Sequence, residues 1–179
     1  MSKIVFVTGG MISGKARFAI TAFECCDEVR YLCTHPNLNE HIKQRICFVE
    51  SNNNLSWNVE LNFRPAGFEC ENRTNAIFDN LADLVMASIY EVPYVLENED
   101  EFENKIINDI ILSMNGMIEK VKKCGGNLLI ISHEAGFCPE PEVETTAKFV
   151  RILCAVNQRI ANNCTDVYAM ISGIPMKIK

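Results

Sequence analysis

Residues 9–15 read Gly-Gly-Met-Ile-Ser-Gly-Lys, a glycine-rich segment that ends in a lysine. Gly9, Gly14 and Lys15 match the spacing G-x-x-x-x-G-K of a phosphate-binding loop, or P-loop. In such a loop, backbone N–H groups surround the β-phosphate, the following helix N-terminus adds partial positive charge, and the lysine reaches the β- and γ-phosphate oxygens. The segment therefore predicts a site for GTP or ATP with Lys15 as its catalytic residue, although a plain turn between a strand and a helix is the alternative.

The residue after the lysine is Ala16, where the motif has Ser or Thr. That hydroxyl normally coordinates the Mg²⁺ that bridges the β- and γ-phosphates, and a methyl group cannot replace it. We therefore expect triphosphate binding to survive and metal-assisted transfer to suffer. Mg²⁺ stays a candidate cofactor, and the sequence leaves open whether Ser13 supplies a hydroxyl instead.

The elements that must position this loop alternate along the chain. Short apolar or β-branched runs predict strands, and the segments between them have helical periodicity. The predicted strands are residues 4–8, 29–33, 76–78, 128–132 and 167–172, and Trp57 and Val59 suggest a further short extended element. Alternating strands and helices predict a mostly parallel sheet between two helical layers, an α/β fold. With no repeat or low-complexity linker, residues 1–179 are expected to form one P-loop nucleotide-binding domain.

The amino-acid composition limits the kinds of molecule that the protein is expected to bind. The net charge is −6 and the isoelectric point is about 5.1, which argues against nucleic-acid binding. No apolar run approaches the ~20 residues that span a bilayer, and the N-terminus lacks the segments of a secretory signal. We expect a cytoplasmic protein without a membrane span. In that compartment the nine cysteines are expected to act as packing residues, since their spacing fits no zinc pattern.

The last predicted helix carries one polar residue in its apolar stripe. Asn157 is either a buried amide satisfied by a neighbouring backbone group or a contact to a ligand at the strand ends. Spacings of three and four form the stripe from Val143, Ala147, Val150, Cys154, Asn157 and Ala161.

Motifs near both ends of the chain resemble one family. They are V-F-V-T-G-G-x-x-S-G-K-x-R at 5–17, Y-L-C-T at 31–34, R-I at 45–46, E-A-G at 134–136, V-N-Q-R-I at 156–160 and S-G-I-P-M-K-I-K at 172–179. In order and spacing these are similar to the bifunctional adenosylcobinamide kinase/adenosylcobinamide-phosphate guanylyltransferases of cobalamin biosynthesis.

The resemblance implies a RecA-like parallel sheet, a homo-oligomer that is a trimer, and two reactions. One phosphorylates the aminopropanol hydroxyl of adenosylcobinamide, and the other transfers GMP through a guanylylated histidine. It also implies substrate contacts at Glu134 and Asn157 and a Mg²⁺ ligand at Asp79, for which a helix N-cap or turn role is the alternative. The implied nucleotide-binding residues are Gly9, Gly10, Met11, Ile12, Ser13, Gly14, Lys15, Ala16, Arg17 and Thr34.

At several positions where the family has functional residues, this chain has different side chains. The family's nucleophilic histidine falls on Phe48, whose ring has no lone pair to attack an α-phosphate. His41, seven residues earlier, is expected to be an exposed polar residue and not a substitute. His133 stands where the family has Asn. We therefore predict that guanylyl transfer is absent and that kinase activity is weak or absent; the alternative is a non-catalytic nucleotide- or corrinoid-binding paralogue or assembly partner.

Overall fold

A seven-stranded sheet of order β3-β2-β4-β5-β1-β6-β7 runs through the structure, a computed structural model that describes residues 2–53, 56–91, 99–137, 139 and 141–179. The strands are β1 (Ile4–Gly9), β2 (Glu28–Cys33), β3 (Ser56–Glu60), β4 (Asn75–Asp79), β5 (Asn127–Ile131), β6 (Asp166–Ile171) and β7 (Ile174–Lys177). The helices are α1 (Lys15–Ala22), α2 (Glu40–Asn53), α3 (Leu81–Glu91), α4 (Glu99–Cys124) and α5 (Glu144–Asn163), with a short 3-10 helix at Pro65–Gly67. Within the described ranges, none of these helices combines the length and apolar character that crossing a membrane requires.

Two apolar cores, one on each face of the sheet, define three layers. Phe6, Phe78 and Ile130 belong to the core under α3, α4 and α5. Val7 and Ile77, next to them in sequence, belong to the core under α1 and α2. Strand residues alternate between the two faces, so a sheet with helices on both sides needs strands that are apolar throughout. The predicted mostly parallel α/β fold is confirmed.

The five predicted strands are present, and two edge strands complete the sheet. The extended element suggested by Trp57 and Val59 is β3, which pairs parallel to β2. The closing motif of the sequence forms β7, which pairs antiparallel to β6 and is exposed along its length. All other neighbouring strands are parallel, so their carboxyl ends meet at one edge of the sheet.

The buried face of α5 differs from the predicted stripe. Val143 is the residue before the helix and is exposed, and Val150 and Cys154 are only half-buried. The helix packs against both α3 and α4, so a different and wider face is covered. Its buried residues are Ala147, Lys148, Ile152, Leu153, Val156, Asn157 and Ile160.

The assignment of all cysteines to packing is wrong. Cys70 and Cys124 form a disulfide, while Cys25 and Cys47 are exposed. The backbone N–H of Arg73 donates to the carbonyl oxygen of Cys124 (2.9 Å), which holds the loop before β4 against the end of α4. Because the paired cysteines are 54 residues apart, their spacing in the sequence does not reveal the contact.

Gly126, just before β5, lies very close to the backbone of Thr74, just before β4, and this contact allows a test of how the two strands pack. A Cβ on Gly126 would lie 2.1 Å from the Thr74 carbonyl oxygen, which accepts a hydrogen bond from Asn127 N–H (3.1 Å). We expect Gly126→Ala to lower the free energy of unfolding by about 2 kcal/mol in urea denaturation. The control is Gly116→Ala in α4, where nothing lies within 4 Å of the added Cβ; it should be neutral or stabilise by up to ~1 kcal/mol. Equal effects of the two substitutions would contradict this reading of the β4–β5 contact.

Candidate functional site

The glycine-rich segment forms a tight connection from the end of β1 to the start of α1. Gly9 and Gly14 have positive φ values of 152° and 93°, which favour glycine. A Cβ on Gly9 would also lie 2.6 Å from the Met170 carbonyl oxygen, so the neighbouring strand leaves no room for a side chain. The predicted strand, loop and helix order is observed.

The C-terminal hairpin supports this loop from the side. Gly173, in the turn between β6 and β7, donates its N–H to the carbonyl oxygen of Ser13 (3.1 Å). A Cβ on Gly14 would lie 3.4 Å from the Gly173 Cα atom. The motifs at the two ends of the sequence therefore form one structural unit, in which the closing hairpin positions the loop.

Lys15 is buried beneath the loop, with only 5% of its surface exposed. Its Nζ donates to the carbonyl oxygens of Gly9 (2.9 Å) and Gly10 (2.5 Å). Nζ also lies 3.4 Å from Nδ1 of His133. Burial lowers the pKa of Lys15 to about 8, and the nearby Asp79 carboxylate opposes this shift. Carbonyl oxygens of the loop thus hold the ammonium group, and its contact with phosphate stays a prediction.

Asp79 ends β4 and is also buried. Its Oδ2 accepts a hydrogen bond from the Tyr31 hydroxyl (2.5 Å). Burial raises the pKa of Asp79, while the Tyr31 hydrogen bond and Lys15 act in the opposite direction. The alternative role as a helix N-cap belongs instead to Asn80, whose Oδ1 accepts from the Asp83 N–H (2.9 Å) at the start of α3.

His133 follows β5, the strand that lies between β1 and β4. It is half-buried, and both burial and the Lys15 charge lower its pKa, with Asp83 opposing. The sequence motifs identify His133 only as a replacement for the family's asparagine and do not predict that it belongs to the site. Its position directly after an apolar strand, at the edge where the P-loop lies, is the signal that could have identified it.

Lys15, Asp79 and His133 line one cavity of about 880 Å³ between α1, α2 and the carboxyl ends of the strands. Of the predicted nucleotide-binding residues, the cavity is lined by Met11, Ile12, Gly14, Lys15, Ala16 and Arg17. A cavity of about 1050 Å³ lies at the amino ends of β2, β3 and β4. Because ligands of open parallel sheets bind beyond the carboxyl ends of the strands, the smaller cavity is the candidate site.

Six predicted site residues are not among those that line the cavity: Gly9, Gly10, Ser13, Thr34, Glu134 and Asn157. Thr34 Oγ1 donates to the carbonyl oxygen of Asn80 (3.1 Å), and Glu134 Oε1 accepts from the Gly136 N–H (2.9 Å). Asn157 is a buried amide that is satisfied by protein groups, as one of its two interpretations predicted. Direct substrate contact by Glu134 or Asn157 stays a prediction.

Helix α2 forms the opposite wall of the cavity. His41 and Arg45 line it from this helix, and His41 is exposed, as predicted. Phe48, which the resemblance aligns with the family's histidine, is 67% exposed and is not among the lining residues. The structure therefore presents neither a nucleophilic atom at position 48 nor a ring packed into the cavity there.

The donor groups around Lys15 fit Mg²⁺ only in part. Asp79 supplies a carboxylate, but Ala16 supplies no oxygen. Ser13 Oγ is buried with no hydrogen-bond partner among the described residues, and it lies 2.7 Å from the position of a Cβ on Gly9. Among all the residues that the structure describes, no group of three His, Cys, Asp or Glu side chains could hold a metal ion. Of the two side chains expected to hold Mg²⁺, only Asp79 could supply an oxygen, and its role as a ligand stays a prediction.

Comparison with known proteins agrees with this geometry. The chain is 25% identical to the bifunctional adenosylcobalamin biosynthesis protein CobU of Escherichia coli K12 over 193 aligned positions, which cover 98% of this chain and 99% of that protein. It is 24% identical to the protein of the same name from Salmonella typhimurium LT2 over 191 positions, with 98% and 99% covered. Residues 5–178 match the family described as cobinamide kinase / cobinamide phosphate guanyltransferase. The resemblance seen in the sequence motifs is confirmed: the chain belongs to this family.

Proposed function

We propose that the chain binds GTP or ATP in the cavity around Lys15, with the phosphates under the P-loop. The observation that carries this proposal is the buried Lys15 ammonium, held by the carbonyl oxygens of Gly9 and Gly10 at the carboxyl edge of the sheet. A phosphate group would offer this ammonium a charged partner in place of neutral carbonyl groups. Arg17 and Arg45 add positive charge to the same cavity walls.

Adenosylcobinamide is the proposed second ligand. This follows from the family's description and from the names of the two relatives, which place them in adenosylcobalamin biosynthesis. Glu134 lies next to the loop, because its N–H donates to the carbonyl oxygen of Gly9 (3.0 Å). Glu134 is therefore the proposed contact to the substrate hydroxyl. The protein is further proposed to be a cytoplasmic homo-oligomer.

The chemistry of this chain is proposed to be reduced relative to its family. Guanylyl transfer through a protein histidine needs a nucleophilic nitrogen, and Phe48 provides none. Phosphoryl transfer depends on electrostatic stabilisation of the transferred group, to which Lys15 contributes and Ala16 does not. We therefore propose no guanylyl transfer and weak or no kinase activity.

A non-catalytic binding protein is the second candidate. It is favoured by the combination of a structurally intact loop with changes at Ala16 and Phe48, since a binding role needs only the loop. Such a protein binds nucleotide or corrinoid without turnover, or it assembles with an active subunit. Measured turnover of adenosylcobinamide distinguishes the two candidates.

The guanylyl-transfer half of the proposal predicts an absence of covalent labelling. After incubation with GTP labelled in the α-phosphate, we expect no label on the protein in denaturing gels, because Phe48 forms no bond to phosphorus. The Escherichia coli relative, which is named as a bifunctional protein, serves as the positive control. Recovery of labelled protein would show that another nucleophile acts, and His41→Phe would then test the histidine of α2.

The kinase half predicts a gain from restoring the missing hydroxyl. We expect Ala16→Thr to increase Mg²⁺-dependent phosphorylation of adenosylcobinamide by about tenfold or more, because a lost metal ligand costs orders of magnitude in rate. Ala16→Val is the matched control, since valine has nearly the shape of threonine without its oxygen. Equal rates in the two variants would show that the absent hydroxyl does not limit transfer.

A further inference from the structure

His133 lies between the two charged groups of the site. β5 separates the strand that leads to Lys15 from the strand that ends in Asp79, and His133 extends from its carboxyl end. The imidazole lines the cavity, with Nδ1 3.4 Å from Lys15 Nζ. A side chain next to this ammonium is also next to whatever the ammonium binds.

Hydrogen bonds to α5 and to the P-loop hold the backbone that carries this ring. The carbonyl oxygen of His133 accepts from Asn157 Nδ2 (2.9 Å), and Asn157 Oδ1 accepts from the Ser132 hydroxyl (2.6 Å). The next residue, Glu134, donates its N–H to the carbonyl oxygen of Gly9 (3.0 Å). Asn157 thus holds the backbone of His133, and the backbone of the next residue is hydrogen-bonded to the P-loop.

The contact with Lys15 determines which ring nitrogen carries the proton. An ammonium group only donates hydrogen bonds, so Nδ1 of His133 must accept. In a neutral imidazole the proton is then on Nε2, which becomes a donor. Burial and the Lys15 charge both lower the pKa of His133, which agrees with a neutral ring. The side chain therefore offers one N–H donor to a ligand in the cavity.

We propose that His133 binds the terminal phosphate of a nucleoside triphosphate through its Nε2–H, while Nδ1 accepts from Lys15 and holds its ammonium in place. This inference rests on the proposed nucleotide-binding function. The lysine of a P-loop reaches the β- and γ-phosphate oxygens, so the group beside its Nζ is at the terminal end of the phosphate chain. Ala16 leaves that end without a hydroxyl, and His133 supplies a donor there that does not depend on a metal.

The test compares triphosphate with diphosphate affinity. Titrations of GTP and GDP, without Mg²⁺, are made into the full chain and into His133→Phe, which keeps the ring shape and removes both nitrogens. We expect GTP affinity to fall by about tenfold or more, as for loss of a hydrogen bond to a charged group, and GDP affinity to change little. Retained GDP binding shows that the variant is folded, and His133→Ala gives the same readout should the Phe variant fail to fold.

The control is Gln44→Phe, which places the same ring at an exposed position of α2 that does not line the cavity. It is expected to leave the ratio of GTP to GDP affinity at the wild-type value. A wild-type ratio in both His133 variants would overturn this inference alone. Failure of the unmodified chain to bind either nucleotide would overturn the proposed function, and this inference with it.

Discussion

The site depends on the hydrogen bonds that hold the buried ammonium group of Lys15. Burying a charge is costly unless hydrogen bonds and opposite charge compensate it. Here the carbonyl oxygens of Gly9 and Gly10 accept from Nζ, and Asp79 stabilises its charge from the adjacent part of the sheet. These acceptors exist only because the loop turns back over the lysine. The conformation of the glycines, the hairpin that supports them and the strand order all serve to place this one charge.

The strand order explains why side chains that are far apart in the sequence meet in the site. β1, β5 and β4 are neighbours in the sheet, so Lys15, His133 and Asp79 meet at one carboxyl edge. Phe48 lies farther along α2 and outside that meeting point. Under the proposed function, nucleotide binding at this edge of the sheet does not depend on Phe48.

The strands, the three layers and the loop could be predicted because they depend on local patterns: apolar runs, helical periodicity and glycine spacing. The role of His133 could not, since it depends on β5 lying between β1 and β4, which no local pattern specifies. The Cys70–Cys124 disulfide also joins segments that are far apart in the sequence, so the cysteine spacing did not predict it. On α5 the predicted stripe differed from the buried face because two helices pack against it. Contacts between segments distant in sequence are what the residues alone left undetermined.

The most direct test of this account is a calorimetric titration of GTP and ATP, with and without Mg²⁺, into the chain and into Lys15→Ala. We expect binding to the unmodified chain without Mg²⁺, because Lys15 and the loop would supply the phosphate contacts and the Ala16 side chain supplies no metal ligand. We also expect a loss of about tenfold or more in Lys15→Ala, since a charged hydrogen-bond partner is removed. Equal affinity in the two proteins, or no binding in either, would contradict the claim that this cavity is a nucleotide site.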